Sequence, residues 1–287
     1  MKARKSTCFI QKSSMIPKFK PILYIGNYDD NGLKTGFGIL KWENGIIFKG
    51  YFENDIIKGW GIVIFNNKDI FKGKFDNGKA NGYGNYIYKN GKKKIGYWIN
   101  DNFNGIGYEY YNNEYYSGEF RDGEKNGIGV IKSSKTNNII YEGEIRNNNY
   151  NGFGIKYYED GKKYYGNWIN NFKDGFGELI SLAGQKYVGY FENDKRQGFG
   201  VYYLLKNTYL VGFWKNGHPE GVVKCFIGNE HNFGIWEKGK KIRVFMDEKE
   251  MEDNYDFDLD KYSIVIYFEM ESLKIFIEEE EENEKKN

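Results

Sequence analysis

Proline and cysteine are scarce in this 287-residue chain, at 3 and 2 residues, and histidine is limited to His218 and His231. Two cysteines as far apart as Cys8 and Cys225 cannot build a disulfide framework or a zinc knuckle, which makes a reducing compartment the expectation. No apolar run is long enough to cross a bilayer. Residues 1–20 lack the apolar centre of a signal peptide, Lys2 stands where N-myristoylation needs glycine, and no prenylation box ends the chain. Cys8, among basic residues, is the one candidate for palmitoylation. A net charge of +2 supplies no basic stripe for phosphate backbones, so nucleic acid is not an expected partner.

Residues that favour long helices are also few. In their place stand 26 Tyr, 22 Phe and 6 Trp beside 37 Gly, a mixture of strand formers and turn formers that predicts an all-β chain. Charge is uneven along the sequence. Residues 1–20 carry Lys2, Arg4, Lys5, Lys12, Lys18 and Lys20 without an acid, whereas residues 245–287 hold sixteen acidic residues against five lysines. These ends read as a basic N-terminal segment and an acidic tail or cap.

The glycines are periodic. Aromatic-x-Gly-x-aromatic segments recur at Tyr24–Tyr28, Phe48–Phe52, Phe71–Phe75, Tyr116–Phe120, Tyr164–Trp168 and Tyr187–Phe191, with variants centred on Gly96, Gly143, Gly212 and Gly234. Successive centres lie 22 to 25 residues apart. Nine or ten residues after each centre comes a second signature, from Gly36-Phe37-Gly38 and Gly59-Trp60-Gly61 to Gly198-Phe199-Gly200, decaying at Val223. The remaining glycines fall in two further slots and include Asn44-Gly45, Asn77-Gly78, Asn90-Gly91, Asp160-Gly161 and Asn216-Gly217, dipeptides of tight hairpins. Each period therefore predicts two strands and two turns, and self-similarity at this spacing implies nine to ten hairpins over residues 22–240.

Side chains alternate across a strand, so Phe71, Gly73 and Phe75 share one face while Lys72 and Lys74 take the other, more polar one. Glycine between two rings weakens a strand and must serve packing; the expectation is a slot in which a neighbouring repeat's ring lies flat. Stability would then be a sum over neighbours in an elongated, twisted, single-layer antiparallel sheet, on the order of 90–100 Å long at two strands per repeat. Trp60, Ile62 and Ile64 on one face and Val63 and Phe65 on the other leave apolar surface on both sides, the mark of an interface. The candidate interaction surface is the ring between the paired glycines: Phe37, Trp60, Tyr83, Phe153, Phe176 and Phe199.

This two-part pattern resembles the MORN repeat, the "membrane occupation and recognition nexus" motif, over some three quarters of the chain. The resemblance implies a stack of β-hairpins that self-associates and organises cytoskeletal or membrane-proximal assemblies, as in ciliary radial-spoke heads and in protist cortical and basal-complex scaffolds. No fused catalytic module is recognisable here, so only the scaffold part carries over.

Chemistry is hard to find. The Gly-x-Gly elements lack the third glycine of a dinucleotide fingerprint, with Lys41, Ile64, Ile87 and Tyr110 in that place, and no phosphate-binding Gly-Lys-Ser/Thr loop occurs. His218 lies in an Asn-Gly-His-Pro turn, and His231 is six residues from Cys225, a spacing without metal logic. Glu142 and Glu144 share a strand face as ordinary solvated carboxylates do. The expectation is a non-enzymatic chain with no cofactor and no metal. At the C-terminus, Tyr262–Phe268 reads as a last strand or edge cap, and Met270, Leu273, Phe276 and Ile277 as a short helix before Glu278–Glu282, the alternative being a disordered acidic tail. Two functions remain. One is a protein-binding scaffold in a ciliary or cortical assembly, cytoplasmic and cytoskeleton-associated. The other is a peripheral tether to anionic phospholipid through the basic N-terminus and Lys72, Lys74, Lys92, Lys93 and Lys94. An open sheet edge adds homo-oligomer formation, such as a homodimer, to either.

Overall fold

A computed structural model describes residues 14–16, 19–205, 207–245 and 248–252. The basic residues before Ser14, Cys8 and the tail beyond Glu252 lie outside them, including the strand and helix read at 262–277. The chain divides into two units, Met1–Asn138 and Ile139–Asn287. The first holds β1 (Pro21–Tyr28), β2 (Lys34–Trp42), β3 (Ile47–Glu53), β4 (Ile56–Ile64), β5 (Ile70–Asp76), β6 (Lys79–Ile87), β7 (Lys93–Ile99), β8 (Asn102–Tyr111), β9 (Glu114–Arg121) and β10 (Glu124–Ser133). The second holds β11 (Ile139–Arg146), β12 (Asn149–Tyr157), β13 (Lys163–Ile169), β14 (Phe172–Ile180), β15 (Lys186–Glu192), β16 (Lys195–Leu205), β17 (Thr208–Lys215), β18 (His218–Ile227), β19 (Glu230–Glu237), β20 (Lys240–Val244) and a five-residue helix, α1 (Glu248–Glu252). Within each unit, strands consecutive in sequence pair antiparallel, so the expected tandem hairpins are present.

The hairpin of β3 and β4 shows how each repeat is built. Phe48, Gly50 and Phe52 face inward and are buried, while Lys49 and Tyr51 face outward. Gly50 stands opposite Gly61, and Gly38 is opposite Gly50 on the other side. The rule holds from Gly26–Gly38 through Gly107–Gly118 and Gly118–Gly129 in the first unit. It holds again from Gly143–Gly154 to Gly200–Gly212 in the second. A glycine stripe thus crosses each unit perpendicular to its strands.

Rings cover most of the stripe, and they come chiefly from the glycine's own hairpin and not, as the spacing suggested, from a neighbouring repeat, although Trp98 of the next repeat also reaches Gly84. A Cβ added to Gly61 would come within 2.3 Å of Phe48 Cε2, and one on Gly50 within 2.5 Å of Phe48 Cζ. The reason is geometric: residues two apart share a strand face and side chains lean along the strand, so Phe48 reclines over its own glycine and the one paired with it. Tyr116, Tyr164 and Tyr187 do the same. The neighbouring repeat meets this ring edge-on. Phe48 lies 5.4 Å from Phe75 at 84°, Phe71 5.1 Å from Trp98 at 76°, and Tyr164 5.2 Å from Phe191 at 86°. Edge-to-face rings each add about 0.5–1.5 kcal/mol beyond their burial, so a ladder of them can stand in for a globular core.

The first glycine of each Gly-x-Gly has a separate task. In the β3–β4 hairpin the register passes from Gly50–Gly61 to Phe52–Ile57, leaving extra residues on β4, and Gly59 at the bulge takes φ +90°. Such a bulge bends the strand and increases its twist.

Turns hold successive repeats together. The Asp55 N–H donates to the Lys34 carbonyl at 3.1 Å, and the Asp55 carboxylate accepts from the Lys34 N–H at 2.9 Å. Asp101 staples Ala80 in the same way, as do Asn171 with Tyr150 and Asp194 with Lys173. Gly78 and Gly123 keep only the backbone half of the staple. These two-residue turns have positive φ at both central positions, for example Asn77 and Gly78. Asn44-Gly45 differs: only Gly45 has positive φ, closing a three-residue loop with the Gly45 N–H donating to Trp42. Lys68 occupies the equivalent slot at φ +74°, with its N–H on the Phe65 carbonyl. Left-handed backbone costs a side-chain-bearing residue about 1–2 kcal/mol, offset by about 0.4–1 kcal/mol for the freer unfolded chain of a glycine. Lys68→Gly is therefore expected to raise stability by a little under about 1 kcal/mol on balance, read as a higher midpoint in thermal unfolding.

Candidate interaction surface

In the first unit the outward face carries an uncovered row of large side chains. Phe37, Trp60 and Tyr83 are all about half exposed, Trp60 at 57%. Cross-strand neighbours extend the row: Tyr51 opposite Phe37, with ring centroids 5.7 Å apart, and Tyr97 opposite Tyr83 at 5.8 Å. Ile106, Tyr108 and Ile128 prolong it toward β10. The sequence reading missed Tyr51 and Tyr97 because it assigned the residue after each central glycine to a polar face; a line of Tyr at that slot was the available signal.

The second unit treats the same position differently. Phe153 is half-buried, whereas Phe176 and Phe199 are only 5% and 4% exposed and form a cluster with Val188, Val201 and Val211. The six rings read as one surface therefore separate into three exposed in the first unit, one intermediate, and two that are core. Val188 and Val211 mark the change, standing where the exposed row has Lys49 and Lys72.

The lysines separate as well. Lys72, Lys74 and Lys93 are exposed on the outward face, beside Lys49. Lys92 and Lys94 turn inward. Lys94 fills the place of the first aromatic in its repeat, its ammonium 5.5 Å from the Phe103 centroid and 5.6 Å from that of Phe120, and it donates to the Gly123 carbonyl. Glu109 gathers Lys92 at 2.9 Å, Lys125 at 3.2 Å and Lys94 at 3.6 Å. Burial pulls the Lys94 ammonium down to about 8, against the Glu109 charge. Burial also works to raise Glu109, but Lys125, Lys92 and Lys94 outweigh it and hold the carboxyl below its ordinary value.

Between about 8 and the ordinary lysine value the unfolded chain retains a proton on Lys94 that the folded one has released. Stability should accordingly rise with pH across that window, by at most about 1.4 kcal/mol per unit for one proton. Urea titrations from pH 8 to 10 should show this slope in the wild type and its loss in Lys94→Met.

Among the described residues no group of His, Cys, Asp and Glu side chains converges as a metal site, and no helix is long and apolar enough to cross a membrane.

The family match decides the kinship of this fold. MORN repeats are matched over residues 24–47, 71–93, 95–114, 116–135, 141–163, 164–181 and 187–204, half of the chain. The chain belongs to the MORN repeat family. The β3–β4 hairpin falls between two matched MORN segments and yet has the same ring-on-glycine interior. No curated protein matches the sequence. Among solved structures, the TCP10 domain of Danio rerio CPAP in complex with a STIL peptide is 13% identical, with 78% of this chain and 99% of that one covered at a TM-score of 0.33. The SAS-4 TCP domain of Drosophila melanogaster with a proline-rich motif of Ana2 is 12% identical, covering 70% and 99% at 0.28. BamB from Moraxella catarrhalis is 13% identical, covering 76% and 72% at 0.16. Likenesses at these TM-scores carry no argument about this MORN chain.

Proposed function

We propose that this MORN repeat chain is a non-catalytic scaffold that binds protein partners of a cytoskeletal assembly, ciliary or cortical, through the outward face of its first unit. The observation that supports this most is the uncovered aromatic row Phe37, Tyr51, Trp60, Tyr83 and Tyr97. Exposed apolar surface on that scale marks interaction sites, and aromatic anchors dominate binding energy at them. The rings stand about half exposed on the outward side of the sheet, Phe37 opposite Tyr51 and Tyr83 opposite Tyr97. The test is location of a tagged chain in cells, wild type against Trp60→Ser/Tyr83→Ser/Tyr97→Ser. The wild type should concentrate at a cilium or the cortex, and the variant, with an unchanged circular dichroism spectrum, should disperse. A wild type that is diffuse, or a variant that still concentrates, would sink the reading.

A second reading rests on Lys49, Lys72, Lys74 and Lys93, exposed cations interleaved with the same rings. A surface of this make-up suits an anionic membrane. Co-flotation with vesicles should then increase with their phosphatidylserine fraction and vanish in high salt; indifference to lipid charge rejects it.

A further inference from the structure

We propose that the first unit pairs with a second copy of this chain through β1, strand against strand about a two-fold axis at Gly26. β1 pairs on one side, with β2, and among the described residues no strand pairs with its other edge. That edge runs from Pro21 to Tyr28 without a single charge, and Ile22, Leu23, Ile25 and Tyr28 are all about half exposed or more. Natural sheet edges are usually blunted by charge, as is β20, with Lys240, Lys241 and Arg243 in five residues. β1 has no charge of this kind, and its one blunting residue, Pro21, stands at its first position.

The register follows from the stripe. Each pairing between repeat strands of the first unit sets glycine opposite glycine. β1 offers Gly26, and the one partner strand that presents the same sequence in antiparallel sense is β1 itself. A pairing centred there sets Gly26 against Gly26 of the second copy and Tyr24 against Tyr28, and the rings meet on the inward face. Tyr24 and Tyr28 already pack edge-to-face within one chain, 5.2 Å apart at 74°. Backbone polarity agrees. An added Cβ on Gly26 would come within 2.9 Å of the Gly38 Cα, the close approach of a pair that exchanges no hydrogen bonds, so the Gly26 N–H and C=O point to the free edge. The antiparallel sense also brings Lys20 of each copy toward the Asp29–Asp30 turn of the other. A charged or polar strand from a different protein would lack both the glycine match and this end-to-end complementarity.

This contact uses no ring of the outward row, so it can fail while the scaffold reading stands, and the reverse. Sedimentation of the full chain over a concentration series should show a monomer–dimer equilibrium. Leu23→Glu/Ile25→Glu, at exposed outward positions, should remove the dimer with an unchanged thermal midpoint, because the pairing sets position 23 opposite Asp29 of the second copy. Register is read by cross-linking in a Cys8→Ser/Cys225→Ser background. Ile25 of one copy faces Asn27 of the other, so chains bearing Ile25→Cys and Asn27→Cys should form a disulfide dimer when mixed and not when alone, since Ile25 lies diagonal to its own counterpart and beyond bridging distance. A single monomer mass throughout, a dimer that survives the glutamate variant, or cross-linking of Ile25→Cys with itself would each overturn the proposal.

Discussion

Gly61→Ala is expected to destabilise the first unit by about 1–3 kcal/mol, the usual cost of overpacking a tight interior, and to recover part of that loss when Phe48 is truncated. The new methyl group would stand 2.3 Å from Phe48 Cε2, and the nearest backbone atom is the Lys49 carbonyl at 3.4 Å. The obstacle is therefore a side chain. Phe48→Ala alone should cost about 3–5 kcal/mol, because the ring is fully buried and holds edge-on contacts to Phe52 and Phe75. The double variant should fall short of the summed losses by about 1–2 kcal/mol, since each change relieves the other. Gly50→Ala makes the control. Its methyl would meet the Gly61 Cα and the Trp60 carbonyl, both at 2.7 Å, and no truncation of Phe48 moves a backbone. Urea unfolding of the three single and two double variants separates the cases. Equal rescue at Gly50 and Gly61 would refute the account of why the glycines recur.

The second large effect is expected at Glu109. Glu109→Ala removes the one carboxylate shared by Lys92, Lys94 and Lys125 and leaves the Lys94 ammonium buried without a counter-charge. Breaking a buried pair from one side costs about 3–5 kcal/mol. Lys94→Met should be far milder, because an apolar side chain of similar volume belongs in the aromatic slot that Lys94 occupies. Combining Lys94→Met with Glu109→Ala should return part of the lost stability, measured in the same denaturant titrations at neutral pH. If Glu109→Ala unfolds no more easily than wild type, the cluster is a solvated one and its inward placement has no energetic weight.

Much of this architecture was legible in the order of the residues. Strand and turn alternation followed from placing glycines, and the shared face of Phe48, Gly50 and Phe52 followed from a period of two. Two things were hidden. Which ring lies on which glycine depends on the lean of side chains along a strand and on cross-strand register, and neither is encoded in spacing alone. The role of Gly59 was likewise invisible, because a bulge glycine and a packing glycine look alike in sequence and are told apart by φ. For the candidate surface, Phe37, Trp60 and Tyr83 are exposed at the position the repeat picks out, yet Phe176 and Phe199 occupy the same position and are buried. Exposure is a property of what surrounds a ring, and Val188 and Val211 surround these with apolar neighbours where the first unit has lysines. Lys94 was grouped with Lys93 by adjacency although successive strand residues face opposite ways.

The staples from Asp55 to Lys34 and from Asp101 to Ala80 each join a turn to a residue 21 positions earlier. A bond that reaches back one hairpin makes the same demand on every hairpin it follows. An in-frame duplication of one whole period would present its turn to a ready acceptor and offer its own carbonyl to the next, so such arrays can be lengthened by gene duplication without inventing a new contact. Partial duplications would not share this tolerance. They would displace the glycine stripe, and every ring downstream would lose the bare backbone on which it rests.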